Sequence, residues 1–367
     1  MDPVPSPESD SSVAYSHLAP KFVELASGVD ALYLSGRTVL PQPFLDRLEQ
    51  FRSLADQAST TMPFDLGGEC FGMAPHAFGR YRYCLEHPDG RIGISPSPQL
   101  PAVRVQPRSA YLHTVGPEEA VARFRRTLET ECTEVVFSVS RIDLYADYEG
   151  WDIGIADRER FVCRAGSVRT YEEENRFTGF EFGRRSTKTV CARIYDKTAD
   201  VARTGSDWWF DIWQTEPGSG VVIRVEFEWN REGLAQVGLT GVDETLAAAG
   251  SLWRYSTEEW LTHRSPTADS NRARWPISPE WAQVQAASLA QHTVRADRVQ
   301  RTLRSGSLRR LAPALVGYLV AFATLSGTTG IDETVSALSR YLHYDEIRRG
   351  VDFADRVRRR LAEGRFR

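Results

Sequence analysis

The chain has 367 residues, 41% hydrophobic and 26% charged, a composition of soluble globular domains at a length that suits two or three of them. Its formal charge of −4 excludes an overall basic character, yet residues 281–367 hold 15 Arg against 8 Asp or Glu, a balance of +7 that leaves −11 on the rest. Such asymmetry points to a polyanionic partner for the basic part. The one long apolar stretch, residues 311–325, is broken by Pro313 and Gly317 and is too short to span a bilayer, so no membrane contact is expected. Five cysteines without a Cys-x-x-Cys pair speak against a disulfide framework or a zinc site and fit reduced, mostly buried thiols in a cytoplasmic protein.

In chain order, residues 1–20 are rich in Pro, Ser and Asp and read as a disordered leader. Residues 29–34 read as a strand, and residues 41–58 as an amphipathic helix with Phe44, Leu45, Leu48, Phe51 and Leu54 on one stripe. The glycine-rich residues 67–72 read as a turn, because they lack the spacing and the Lys-Ser/Thr ending of a phosphate loop. His87-Pro88-Asp89-Gly90 is turn chemistry between two strand-like runs and predicts a hairpin. Residues 102–106 read as a strand, and a helix opens at Pro117 with Glu118 and Glu119 in its first turn.

Three strands then share one grammar. Ile142, Leu144 and Ala146 alternate with Arg141, Asp143, Tyr145 and Asp147; Val190, Ala192 and Ile194 with Arg193, Tyr195 and Lys197; Val225, Phe227 and Trp229 with Arg224, Glu226 and Glu228. A period of two puts the apolar set on one face and the chemical set on the other. Hairpin, helix and strand occur in two rounds, which suggests an internal duplication feeding one sheet. The expected fold is α+β: a mostly antiparallel sheet with helices packed on one face, spanning residues 21–262. Residues 263–280, with Pro266, Pro276 and Pro279, read as a linker, and residues 281–367 as a basic all-helical domain. There Arg295, Arg298, Arg301 and Arg304 form a stripe suited equally to solvent or to phosphate, and residues 334–361 read as two helices around Gly350.

Arg141-Ile142-Asp143-Leu144-Tyr145-Ala146-Asp147, Phe182-Gly183-Arg184-Arg185-Ser186, Ala192-Arg193-Ile194-Tyr195-Asp196-Lys197 and Arg224-Val225-Glu226-Phe227 together resemble the replication initiation factor family, which includes rolling-circle plasmid initiators and relaxases of conjugative elements. The resemblance implies site-specific nicking of one DNA strand, with a tyrosine joined to the 5′ phosphate, and a divalent metal held by acidic side chains. On this chain that makes Tyr195 the nucleophile with Lys197 beside it, Asp143 and Glu226 the ligands of Mg²⁺ or Mn²⁺, and Arg193, Arg224, Arg184 and Arg185 the DNA contacts. Origin or transfer-origin DNA would be the partner, with a helicase and a second copy of the chain as further ones. Where the family motif has Glu three places after the lysine, this chain has Asp200.

The chemistry also follows from the residues. Exchanging a phosphodiester without losing its bond energy requires a nucleophile from the protein, and a phenol with a pKa near 10 needs neighbouring positive charge to ionise. Hard oxygen ligands favour Mg²⁺ or Mn²⁺, and the guanidiniums would hold phosphates. Each residue also has a structural reading: Tyr195 as a half-buried ring, Asp143 as the salt-bridge partner of Arg224, Asp196 as a helix cap, His113 and His263 as isolated structural histidines. Asp30 is a further candidate ligand beside Asp143. Two other functions suit the same residues: a catalytically silent, sequence-specific DNA-binding regulator, and a metal nuclease that uses water.

Overall fold

The computed structural model describes residues 22–184, 189–291, 316, 319–350 and 352–362. The expected leader, Arg185 and the stripe from Arg295 to Arg304 lie outside the described residues. Two compact units divide the chain: Met1–Leu234 with Thr240–Val294, and Ala235–Leu239 with Arg295–Arg367.

The first unit is built on an eleven-stranded, wholly antiparallel sheet. Its strands in chain order are β1 (Val23–Arg37), β2 (Met62–Leu66), β3 (Glu69–Met73), β4 (Tyr83–His87), β5 (Gly90–Ile94), β6 (Val103–Pro107), β7 (Val136–Glu149), β9 (Val168–Glu173), β10 (Arg176–Phe182), β11 (Val190–Asp196) and β12 (Val222–Asn230); β8 (Phe161–Cys163) pairs separately with β13 (Leu261–His263). Across the sheet the order is β2-β3-β4-β5-β6-β1-β7-β12-β11-β10-β9. The long strands β1 and β7 lie together at the centre. Each is flanked by the last strand of its own round, β6 or β12, with earlier strands stepping outward. The duplication expected from sequence is thus visible as a rule of strand order obeyed on both sides of the β1–β7 seam.

The helices are α1 (Gln42–Ala58), α2 (Ser109–Val115), α3 (Pro117–Glu129), α4 (Lys197–Thr204), α5 (Trp208–Trp213), α6 (Arg231–Gln236), α7 (Val242–Ala247), α8 (Ala249–Tyr255), α9 (Pro279–Gln285) and α10 (Ser288–Gln291). The apolar sheet face carries the main core. There Phe227 lies edge-on to Trp253, and Trp229 meets Tyr255 while its indole N–H donates to Ser256 Oγ at 3.0 Å. Of residues 67–72, read as a turn, only Gly67 and Gly68 form the tip of the β2–β3 hairpin, at φ 66° and 80° where a side chain would be strained, while Glu69 to Gly72 belong to β3.

The expected linker packs into the first unit. His263 is fully buried and its Nδ1 lies 2.8 Å from Ser278 Oγ, which also caps α9, while Trp281 buries completely and donates to Thr257 O at 2.8 Å. Prolines mark a loop there, but burying Trp281 ties both of its ends to the core. The second unit, taken by itself, contains α11 (Ile331–Arg349) and α12 (Phe353–Ala362), with Gly350 closing α11 in the left-handed region at φ 63°. This is the pair of helices read around Gly350. Among the described residues no helix is long and apolar enough to cross a membrane.

Candidate active site on the polar sheet face

The polar sides of the three strands share one face, because β7, β12 and β11 are consecutive in the sheet and in register. Asp143 lies opposite Glu228, Tyr145 opposite Glu226, and Asp147 opposite Arg224. Beyond β12, Glu226 faces Arg193 and Arg224 faces Tyr195. Tyr195, Asp143 and Glu226 therefore fall on neighbouring rows of one surface, with Asp143 diagonal to Glu226, while Lys197, expected on the same strand face, lies past the end of β11. That surface is not an open one: β12 is buried from Val222 to Trp229, and β7 from Ile142 to Tyr148.

Tyr195 is half-buried, and its hydroxyl donates to Glu226 Oε2 at 3.1 Å. Arg193 binds the other oxygen of Glu226 and lies 5.1 Å from the Tyr195 ring centroid. Burial is the largest influence on Glu226 and opposes its ionisation, but the charges of Arg193, Arg224 and Lys197 outweigh it and hold the carboxyl down at about 2. Burial and then the Glu226 charge push the Tyr195 phenol well above its ordinary range. In this arrangement Tyr195 is a neutral donor and Glu226 a fixed carboxylate.

Lys197 starts α4 and is buried. Its ammonium pairs with Asp200 at 2.7 Å and lies 5.3 Å from the Trp209 ring and 5.9 Å from the Tyr195 ring. Asp196 caps α4 by accepting from the Ala199 N–H at 2.9 Å, as its position on the apolar side of the strand implies. A cleft of about 300 Å³ opens beside the tyrosine, lined by Tyr171, Glu181, Arg193, Tyr195, Asp200 and Arg203.

Asp143 is held by Arg141, whose Nε donates at 2.7 Å, and Arg141 Nη2 also reaches Glu228 at 2.8 Å. Burial, with the nearby charges of Glu226 and Glu228, raises the Asp143 carboxyl to about 7 against the pull of Arg141. The row thus holds more carboxylate than its guanidiniums neutralise. Asp143, Glu226 and Glu228 offer oxygen ligands of the class that suits Mg²⁺ or Mn²⁺, but their carboxylate oxygens do not all lie within 4.8 Å of one another, and Arg141 occupies Asp143 and Glu228. Among the described residues the donor group whose ligand atoms do gather within 4.8 Å of one another is His76, Cys84 and Glu86, and burial pushes the Cys84 thiol up to about 11.

Arg224 departs from the expected role. It is fully buried, donates from Nε and Nη2 to Asp147 at 2.7 Å each, and is sandwiched between the rings of Tyr145 and Trp209 at 4.2 and 4.0 Å. A guanidinium closed on both faces and both edges offers nothing to a DNA phosphate, so this residue is structural. Its partner is Asp147, not Asp143, and Asp30 approaches the same guanidinium at 3.1 Å while accepting from Ser109. Asp30 therefore belongs to the Arg224 cluster and not beside Asp143. Arg184 is exposed at the end of β10.

Sequence reasoning missed the roof over this end of the face. α5 lays Trp209 on Arg224 and turns the Trp213 indole N–H onto Asp147 at 2.8 Å. His113, on α2, reaches Tyr145 Oη at 2.9 Å. The aromatic run at residues 208–213 was the available signal.

No protein-family model matches the chain, and no curated protein matches it. Among solved structures it is similar to a rolling circle replication initiator protein from Geobacillus stearothermophilus, at 15% identity over 74% of this chain and 98% of that chain, with a TM-score of 0.45.

Proposed function

We propose that this protein nicks and rejoins a specific DNA strand through a covalent phosphotyrosine at Tyr195, as a rolling-circle replication initiator or relaxase would. The observation that carries the reading is the hydrogen bond from the Tyr195 hydroxyl to Glu226, beside a cleft that Arg193 and Arg203 also line. A phosphodiester in that cleft meets a nucleophile and cations within one site.

In the forward step the Tyr195 Oη–phosphorus bond forms as the phosphorus–O3′ bond breaks. The phenolic proton is given up to water in the cleft and the departing O3′ takes a proton from water, leaving a free 3′ hydroxyl. The reverse attack by that hydroxyl reseals the strand. Arg193 balances charge on the phosphoryl oxygens, and Lys197 favours phenolate through its own charge. Asp143 and Glu226 would hold Mg²⁺ or Mn²⁺, which supplies Lewis-acid stabilisation of the phosphoryl group when bound.

Purified protein incubated with Mn²⁺ and the duplex DNA flanking its own gene tests this reading. A nick with a denaturation-resistant protein–DNA adduct is expected, and Tyr195→Phe should abolish the adduct while DNA binding stays near normal. Nicking that survives Tyr195→Phe but is lost in Asp143→Ala identifies a water-using nuclease instead. The engagement of both Glu226 oxygens, by Arg193 and Tyr195, favours one other reading: a silent DNA-binding protein, which shifts the DNA on a gel with neither nick nor adduct.

A further inference from the structure

Residues 74–82, between β3 and β4, fold back over the sheet and bring together three side chains of different chemistry. Cys84 and Glu86 are two apart on β4 and so share one of its faces, while Leu85 points to the other. Across the β4–β5 pairing Cys84 lies opposite Gly93 and Glu86 opposite Arg91. The covering segment leaves β3 with the Ala74 N–H donating to the Cys84 carbonyl at 2.9 Å, and reciprocal main-chain bonds between Phe78 and Tyr81, 3.0 and 3.1 Å, close a turn around Gly79 at φ 62°. Gly93 makes room for it, since a Cβ there would stand 2.9 Å from Tyr81 Cβ and 3.0 Å from Phe78 Cδ1. The cover leaves Cys84 only 1% exposed and brings His76 to it from the solvent side.

An imidazole nitrogen of His76, the sulfur of Cys84 and a carboxylate oxygen of Glu86 all lie within 4.8 Å of one another. A buried thiol alone needs no partner, because it packs as a small apolar group. A thiol, an imidazole and a carboxylate converging on one point are different, and among the described residues none of the three side chains has a hydrogen-bond or ion-pair partner. Arg91 does not satisfy Glu86, although the two are opposite in register: its guanidinium lies 4.6 Å from the Phe78 ring centroid and donates to Gln106 at 3.3 Å.

We propose that His76, Cys84 and Glu86 bind Zn²⁺, with Cys84 as thiolate, its proton passing to solvent, and water in the fourth position. Sulfur beside nitrogen selects against Mg²⁺ and Ca²⁺, which take oxygen ligands. Tetrahedral zinc sets such ligand atoms about 3.3–3.6 Å apart, so the group is within about 1.5 Å of closing, a distance that the exposed His76 ring and the half-buried Glu86 can take up. Zn²⁺ with one thiolate and one carboxylate is neutral, so Arg91 does not oppose it. The ion would pin the covering segment to β4, and the site stands whether or not Tyr195 is a nucleophile.

The test is titration of the full chain, stripped with a chelator and kept reduced, using Co²⁺ as a spectroscopic substitute for Zn²⁺. A stoichiometric amount of Co²⁺ should produce the thiolate-to-cobalt charge-transfer band in the near ultraviolet with visible bands of tetrahedral intensity, and Zn²⁺ should bleach both. Cys84→Ser should lose the charge-transfer band, and Cys70→Ser should keep it. His76→Ala and Glu86→Gln should each weaken binding about tenfold or more. Zn²⁺ should also raise the melting temperature of the wild type more than that of His76→Ala. His76 is exposed, so its variant carries the test if Cys84→Ser fails to fold. No charge-transfer band in the wild type overturns the site, as does a band that survives in folded Cys84→Ser or an affinity unchanged in His76→Ala.

Discussion

Arg224 and Asp147 face each other across β12 and β7, joined by two hydrogen bonds of 2.7 Å with neither side chain reached by solvent. Removing one partner leaves the other charge buried and unmatched. Arg224→Ala should therefore cost about 3–5 kcal/mol in urea unfolding. Arg224→Lys should recover little of it, because an ammonium cannot fork onto one carboxylate or stack between Tyr145 and Trp209. A loss below about 1 kcal/mol would show that the pair contributes little.

His113 sets the response to acid at the same end of the sheet. Its Nδ1 lies 2.8 Å from the Ser109 carbonyl, which can only accept, so in the neutral ring Nε2 accepts from the Tyr145 hydroxyl. Burial lowers its affinity for a second proton below the ordinary 6.5. The unfolded chain binds that proton first as pH falls, so this contribution to stability is present above about 6.5 and is lost on acidification through the folded value. Denaturation midpoints measured between about pH 7 and pH 5 should fall less steeply in His113→Gln than in the wild type; parallel curves would remove His113 as the cause.

Gly179 gives Tyr195 its room. The two residues are opposite each other in β10 and β11, and a Cβ on Gly179 would sit 2.6 Å from the Ile194 carbonyl oxygen and 2.7 Å from Tyr195 Cβ. Gly179→Ala should cost about 1–3 kcal/mol through overpacking and shift the phenol away from Glu226. Adduct yield at a temperature where the variant is folded should drop by more than tenfold, and wild-type yield there would mean that Tyr195 placement does not depend on this glycine.

Arg141 guards the carboxylate row. It occupies Asp143 and Glu228 together, so Arg141→Ala should tighten Mn²⁺ binding by about tenfold, an effect worth about 1.4 kcal/mol. Titration followed by Mn²⁺ magnetic resonance reads this directly. Unaltered affinity would place any bound cation elsewhere, and the His76, Cys84 and Glu86 group would be examined next with Zn²⁺.

The period of two in β7, β11 and β12 made the polar and apolar faces readable before the fold, because side-chain direction in a strand follows from parity alone. Register does not follow from parity. Asp143 and Asp147 are both on the correct face, and only the alignment of β7 with β12 decides that Arg224 meets the second of them. Arg224 and Arg193 also look alike in sequence. What separates them is Trp209, which covers one and not the other, and a pair of tryptophans carries no sign of the surface it will cover. The prolines of residues 263–280 stand in and at the end of the segment between β13 and α9, while the pinning of its two ends by His263, Ser278 and Trp281 depends on contacts distant in sequence.

The shared β1–β7 seam fixes a length. From Arg104 on β6 to Tyr195 on β11 the face crosses β1, β7 and β12, four inter-strand steps or about 19 Å at the usual strand spacing. Every step is closed by main-chain hydrogen bonds, so that distance cannot stretch as a hinge between domains could. Anything laid across this face would therefore meet Tyr195 on a surface whose width is set by the sheet's own hydrogen bonds.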